Sequence, residues 1–312
     1  MSRQNAGVTG AALVLGAAAC FGTLGPISRL ASDAGIDALG FSTWRSGLGA
    51  VLMIAFLAAR RIGGRRELVA LSDVPVRSRL AMLVAGVATT TLNLAIFIAF
   101  LRISIALSLL IFYLYPALVS VASVVWFGER LDRQRWAALA LSLVGMVLVV
   151  SGPIGDLDLL GIGLAFLAAV SQTVYVLAAR HGYGSVPSIQ ASTFFLGFAG
   201  AAYLLIGVAI GSSAADALPS PQAWPLLLLA GSIGAAIPSF AYMSGIRRIG
   251  ASRAAILATI EPVVGVLLAA ALLGEVPSPL QIFGGALILI AAVLLQLGNR
   301  QAAPDHEAVA AD

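Results

Sequence analysis

Two ionisable side chains, Arg45 and Glu261, sit deep inside long apolar stretches of the chain. A charge at the centre of a membrane helix costs about 2.5–3.5 kcal/mol on insertion scales, so each needs a reason to be there. Arg45 can anchor a substrate carboxylate; alternatively it snorkels, or pairs with backbone carbonyls between helices. Glu261 can carry a proton or hold a substrate amino group; alternatively it caps backbone donors near the bend at Pro262, or pairs with an arginine. Four prolines, Pro26, Pro116, Pro238 and Pro262, also fall inside apolar stretches. Each removes one intrahelical hydrogen bond, so these sites read as hinges or as static bends. Polar and aromatic residues recur at helical spacing: Thr89, Asn93 and Phe97 beside Thr90; Ser108, Phe112 and Tyr115; Gln172 and Tyr175 beside Ser171; Ser232, Ser239 and Tyr242. Such spacing puts each set on one helix face. Hydroxyls, amides and aromatic faces with few charges suit a small zwitterion with an apolar side chain. Ser and Thr also hydrogen-bond between membrane helices without any ligand.

Composition dictates the scaffold that carries these residues. The chain has 312 residues, 60% hydrophobic and 10% charged, with a mean hydropathy of +1.00. Soluble domains carry roughly 45–50% apolar and about 25% charged residues. Apolar stretches long enough to cross a bilayer, about 20 residues each, fit at 7–30, 36–59, 80–101, 103–127, 136–152, 159–179, 186–211, 224–246, 252–273 and 279–297. The expected fold is all-α, a polytopic bundle of ten membrane helices with no soluble catalytic domain. The polar segment 299–312 reads as a disordered cytoplasmic tail. The first span is too long, and its basic flank too weak, for a signal peptide. Cys20 is the only cysteine, which excludes an intramolecular disulfide.

All eighteen basic residues are arginine. With the N-terminus inside, fifteen arginines fall in cytoplasmic segments, against Arg29 and Arg102 outside and Arg45 within a span. This bias predicts cytoplasmic termini. It also accounts for the net charge of +4 without nucleic acid: the basic run from Arg60 to Arg79 is a topogenic loop that can touch anionic lipid.

The chain repeats itself. A shift of 146 positions lays Arg102-Ile103 on Arg248-Ile249, Pro116 on Pro262, Gly128-Glu129 on Gly274-Glu275 and Gly152 on Gly298. Ser42–Gly47 resembles Ser192–Gly197, which pairs Arg45 with Phe195. Each half has five spans, an odd number, so the second half enters the membrane inverted. Expected units are residues 1–155 and 156–298. Inverted repeats are an architecture of secondary transporters, with the site at the repeat interface near the midplane.

The run Leu107-Ser108-Leu109-Leu110, then Tyr115-Pro116, then Phe127-Gly128-Glu129-Arg130-Leu131 resembles the fourth-helix signature of EamA-type carriers of the drug/metabolite transporter superfamily. Ile260-Glu261-Pro262-Val263 and Leu273-Gly274-Glu275 resemble its second copy. Within that superfamily the chain looks most like bacterial YddG-type amino acid exporters. The resemblance implies a basket in which spans 1, 3, 4, 6, 8 and 9 line a central cavity. Spans 2 and 7 then lie outside them, and spans 5 and 10 are peripheral.

Enzyme readings find no support. There is no lysine for a phosphate-binding loop, and one cysteine with two histidines makes no metal cluster. The expectation is a carrier in the cytoplasmic membrane of a bacterium. It exports a small amphipathic metabolite, amino acids including aromatic ones, by alternating access; the alternatives are a carrier of another substrate class (a drug, nucleotide sugar or other metabolite) and, further off, an intramembrane enzyme or a channel. Its partners are that small molecule and membrane lipid. No cofactor is called for, and a monomer is favoured because one chain completes the cavity. The expected substrate contacts are Arg45, Thr90, Asn93, Phe97, Ser108, Phe112, Tyr115, Gln172, Tyr175, Ser239 and Tyr242. Pro26, Pro116, Pro238, Glu261 and Pro262 are the gating or proton-coupling residues.

Overall fold

The computed structural model describes residues 3–62, 68–103, 105–129, 132–149, 158–211, 220–221, 223–273 and 278–301. Arg65, Arg66, Arg130, Gly152, the Gly274-Glu275 pair, the junction between residues 155 and 156, and residues 302–312 lie outside them. Among the described residues every regular element is helical. The first half comprises α1 (Arg3–Gly22), α2 (Leu24–Asp33), α3 (Ala38–Ile62), α4 (Val76–Arg102), α5 (Ile105–Phe112), α6 (Tyr115–Phe127) and α7 (Arg133–Val149). The second comprises α8 (Leu159–His181), α9 (Ser188–Ala209), α10 (Trp224–Gly231), a π-helical turn (Ser232–Ala236), α11 (Ile237–Ile249), α12 (Ala251–Ala258), α13 (Glu261–Leu273) and α14 (Pro279–Gln301). Among the described residues, six segments are long and apolar enough to cross a membrane: Gly7–Asp33, Ala38–Ile62, Val76–Ala99, Leu159–His181, Ser188–Ala209 and Trp224–Ile249. Shorter apolar helices, Tyr115–Phe127 and Pro279–Ala291, accompany them.

Local chemistry sets the ends of these elements. Asp158 caps α8: its Oδ1 accepts from the amides of Leu160 at 2.8 Å and Gly161 at 3.4 Å. Ser278 and Gln281 form a capping box at the start of α14, each side chain bonding the other's backbone N–H. Gly128 ends α6 at φ 65°, a conformation cheap only for glycine. The amides of Gly128 and Glu129 then reach back to Val124 and Ser123 carbonyls.

Each internal proline comes just after a break. Pro116 cannot donate to the Phe112 carbonyl, and the helix turns at Tyr113–Leu114 between α5 and α6. Pro262 stands in the same relation to Thr259–Ile260 between α12 and α13, and Pro26 comes after a break at Thr23. Tight i→i+3 bonds bridge these points, among them Leu114 N–H to Ile111 O at 3.1 Å and Thr259 N–H to Ile256 O at 3.2 Å. The limits of α12 and α13 repeat those of α5 and α6 at the shift of 146 found in the sequence. Pro238 instead comes after the π-helical turn. The first, fourth, eighth and ninth apolar stretches are therefore interrupted, where hydropathy alone reads them as continuous. α14 runs to Gln301, so the first residues of the expected tail are helical.

The helices pair across the two halves: α1 with α11, α4 with α8, α3 with α9, and α7 with α14. α6 packs on α8 and α12, while α13 packs on α1. Small residues permit the closest approaches. A Cβ on Gly22 would lie 2.6 Å from the Glu261 carbonyl oxygen, and one on Gly145 would lie 2.7 Å from that of Gly284. Gly284 of α14 thus serves packing against α7, whereas Gly285 faces Val263 of α13.

Candidate functional site

The polar residues gather in two places. The first centres on Arg45, 5% exposed on α3. Its Nη1 donates to the carbonyl of Gly234 at 3.2 Å, and its Nη2 to Oδ1 of Asn93 at 2.8 Å. Gly234 lies in the π-helical turn, four residues before Pro238. Its carbonyl is the one that a proline leaves without an α-helical donor. A bare carbonyl in hydrocarbon costs several kcal/mol, and Arg45 removes that penalty from another helix. Asn93 Nδ2 donates to Thr89 O at 2.8 Å. Tyr203, from α9, donates its hydroxyl to Thr90 O at 3.1 Å and stands beside Arg45 and Asn93. The hydroxyls of Thr89 and Thr90 turn back onto Ala85 O and Gly86 O of their own helix. Of the readings open for Arg45, pairing with a backbone carbonyl between helices is realised. Its Nε is buried without a partner.

The second place is aromatic. All six tyrosines are at most 7% exposed, and five of them meet around one point. Tyrosine in membrane proteins usually marks the headgroup level, where its hydroxyl is wet; here the rings are interior. Tyr113 and Tyr115 flank the break before α6, with ring centroids 6.0 Å apart. Phe112 lies 5.2 Å from Tyr113 and 5.3 Å from Tyr115. From α8 come Gln172 and Tyr175, and from α11 comes Tyr242, with Phe21 of α1 edge-on to it at 6.4 Å. Phe195 of α9 meets Tyr175 at 5.7 Å and Tyr183 at 5.6 Å. Glu261, the first residue of α13, stands beside Tyr113 and lies within electrostatic reach of Tyr115 and Tyr242. Tyr115 and Gln172 neighbour the Tyr242 hydroxyl, yet neither reaches it with hydrogen-bond geometry, so that hydroxyl is buried and unpartnered. Ser108 Oγ is also buried and unpartnered.

Of the residues singled out by sequence, Phe112, Tyr115, Gln172, Tyr175, Tyr242 and Glu261 are thus brought together. Thr90, Asn93 and Arg45 form the other group. Phe97 stands apart, edge-on to Phe41 at 6.2 Å in an apolar cluster with Ile27 and Trp44. Ser239 contributes its carbonyl, which accepts from Ser192 Oγ at 3.2 Å and ties α11 to α9. Pro26, Pro116, Pro238 and Pro262 are all buried beside their breaks. Sequence reasoning passed over Tyr113, Tyr203 and Gly234. Tyr113 lies in the run Phe112-Tyr113-Leu114-Tyr115 just before Pro116, and Gly234 is found by counting four residues back from Pro238.

Nearer the end of α8, arginines tie loops together. Arg247 donates to the carbonyls of Val186 and Tyr183, and lies over the Tyr183 ring at 5.4 Å. Arg180 Nη1 donates to Arg247 O at 2.6 Å. Arg102 pairs with Asp158 at 2.6 Å, joining the end of α4 to the start of α8.

Known proteins share this architecture. A crystal structure of 21% sequence identity superposes with a TM-score of 0.79, over 97% of this chain and 100% of the other. An uncharacterized transporter of Archaeoglobus fulgidus is 26% identical over 91% of this chain and 94% of that protein. Two further relatives match over about half of each chain. The uncharacterized transporter YdfC of Bacillus subtilis is 27% identical over 54% of this chain and 55% of its own. The protein RarD of Escherichia coli is 28% identical over 53% and 54%. The EamA-like transporter family model matches residues 8–151 and again 159–297. With that double match laid over an all-helical, largely apolar bundle, the chain belongs to the EamA-like transporter family and is a multi-pass membrane transporter.

Proposed function

We propose that this transporter is a secondary carrier of the bacterial cytoplasmic membrane, with both termini in the cytoplasm. It exports small amphipathic metabolites, amino acids including aromatic ones, in the manner of YddG-type exporters. It is a carrier and not an enzyme, and works as a monomer. The bundle comprises ten spans, with α1–α2, α5–α6, α10–α11 and α12–α13 each forming one interrupted span. Its halves, residues 1–155 and 156–298, are inverted repeats, and 299–312 is a cytoplasmic tail.

The observation that carries the reading is the buried aromatic cluster. Tyr115, Tyr175, Tyr242, Phe112, Gln172 and Glu261 converge on it from both halves. Two further facts support it. The family model matches once per half. The helix pairings also map onto themselves when the halves are exchanged, α4–α8 becoming α11–α1 and α3–α9 remaining itself. Breaks beside Pro26, Pro116, Pro238 and Pro262 give the spans places to bend as the halves rock between inward- and outward-facing states. Substrate shifts that equilibrium by its differential affinity for the two states.

The test is counterflow in proteoliposomes over an amino acid panel, with and without an imposed pH gradient. Saturable exchange of aromatic amino acids is expected. Absence of exchange across the panel sinks the substrate assignment. A flux indifferent to the pH gradient, and retained in Glu261→Gln, removes proton coupling.

A further inference from the structure

Arg45 and Arg247 each keep one N–H, at Nε, buried without a partner. A buried charged donor left bare is costly, and an oxygen brought by a ligand relieves it. The two arginines differ in what their charge meets. The tyrosine within reach of Arg45 is Tyr203, which stands outside the five-ring cluster. Arg247 lies over the Tyr183 ring at 5.4 Å and within electrostatic reach of Tyr175, and these two tyrosines flank Phe195. Its Nη1 and Nη2 hold the Val186 and Tyr183 carbonyls. Among the described residues no carboxylate of the chain pairs with it. Glu261 stands among the other rings of the cluster, Tyr113, Tyr115 and Tyr242. The cluster is therefore polarised, with a cation beside one set of rings and an acid beside the other. In a low-dielectric interior such an arrangement orients a zwitterion.

Resting on the proposal that the aromatic cluster is the transport site, we infer that Arg247 is the partner of the substrate carboxylate, through its free Nε–H and its charge. The substrate lies with its carboxylate toward Tyr183 and its ammonium group toward Glu261. Arg247 is near the end of α11, beside the loop that follows α8. On the proposed topology that end faces the cytoplasm, so an exported amino acid meets Arg247 first. Aromatic carboxylates that lack an amino group are ligands of the same site. Arg45 is a positioning residue that ties the π-helical turn to Asn93 of α4.

Displacement of radiolabelled phenylalanine from the purified full-length protein tests this, with phenylalaninamide and 3-phenylpropionate as competitors. The amide keeps the ring and the ammonium group and loses the anionic charge. In the wild type, phenylalanine should bind about tenfold or more tightly than the amide, and 3-phenylpropionate should compete. That advantage of phenylalanine should vanish in Arg247→Gln. In Arg247→Lys, which keeps the charge and loses the Nε–H, it should shrink about threefold or more. Arg45→Gln should leave it unchanged. The advantage is a ratio, independent of the folded fraction, and a purely structural loss of the loop carbonyl bonds weakens both ligands alike. A wild-type ratio in either Arg247 variant overturns the inference, as does an amide that competes as well as phenylalanine, or an advantage that vanishes in Arg45→Gln. Each of these leaves the amino acid reading intact. If phenylalanine does not bind and labelled 3-phenylpropionate does, with an affinity that depends on Arg247, the amino acid reading falls and the carboxylate anchor stands. If neither binds, both fall.

Discussion

Arg45 and Glu261 are both charges inside a membrane bundle, yet their surroundings are opposite in kind. Around Arg45 both terminal nitrogens are partnered, by Gly234 O and Asn93 Oδ1, with Tyr203 bonding Thr90 O beside them and only Nε left bare. Around Glu261 stand aromatic hydroxyls, of which Tyr242 has no partner. The repeat sharpens the contrast. The mate of Arg45 is Phe195, which forms part of the aromatic cluster, and the mate of Glu261 is Tyr115, which belongs to it too. At each pair of equivalent positions one half supplies a charge and the other a ring. The backbone is duplicated, and the chemistry laid on it is not. One charge completes the scaffold, where a broken helix needs a donor; the other is left among groups that a ligand can satisfy.

Experiment can overturn the contrast. The largest effect is expected at Arg45→Ala, which strands Gly234 O and Asn93 Oδ1 and should cost about 2–4 kcal/mol. Thermal unfolding in detergent measures it, and a midpoint equal to the wild type would show that Arg45 is not part of the scaffold. Glu261→Gln should spare the unfolding midpoint and lower exchange about tenfold or more, about 1.4 kcal/mol. A large stability loss with normal exchange would reverse the roles of the two charges.

Two tyrosines make a finer comparison. Tyr203→Phe removes a hydrogen bond to Thr90 O and should cost about 1 kcal/mol of stability. Tyr242→Phe removes an unpartnered hydroxyl and should cost about 0.5 kcal/mol or less, while weakening substrate binding. Equal stability losses would erase the distinction between a paired and a vacant group.

The smallest effect lies at the surface. Slight desolvation pushes the Asp158 carboxyl up, but the amides of Leu160 and Gly161 and the Arg102 guanidinium outweigh it and hold it below its ordinary value. A depressed folded value means that the stability it lends is present above the ordinary carboxylate value of about 3.9. That stability is lost as the pH falls further, through the folded value. The unfolding midpoints of wild type and Asp158→Asn should therefore differ at pH 6 and converge toward pH 3.

Six long apolar spans were legible because hydrocarbon forces about 20 apolar residues in a row, and the breaks were legible where a proline sits in such a run. Their exact form was not. The turns at Tyr113–Leu114 and Thr259–Ile260 differ from the π-helical turn before Pro238, and neighbouring helices select between such solutions. The stripe of Thr89, Asn93 and Phe97 was read as one face with one task. Asn93 instead serves Arg45 while Phe97 packs on Phe41, because adjacent turns of a helix meet different partners.

Local composition and internal repetition were enough to establish a membrane chain, a duplicated pattern, and two charges that demand explanation. Assigning those charges required tertiary structure. Arg45 and Gly234 are 189 residues apart, and Tyr113 and Glu261 come from different halves. Nothing in either segment announces its partner. The energy of a buried charge depends on which donors and acceptors the fold brings within about 3 Å of it, and only the packed bundle specifies those.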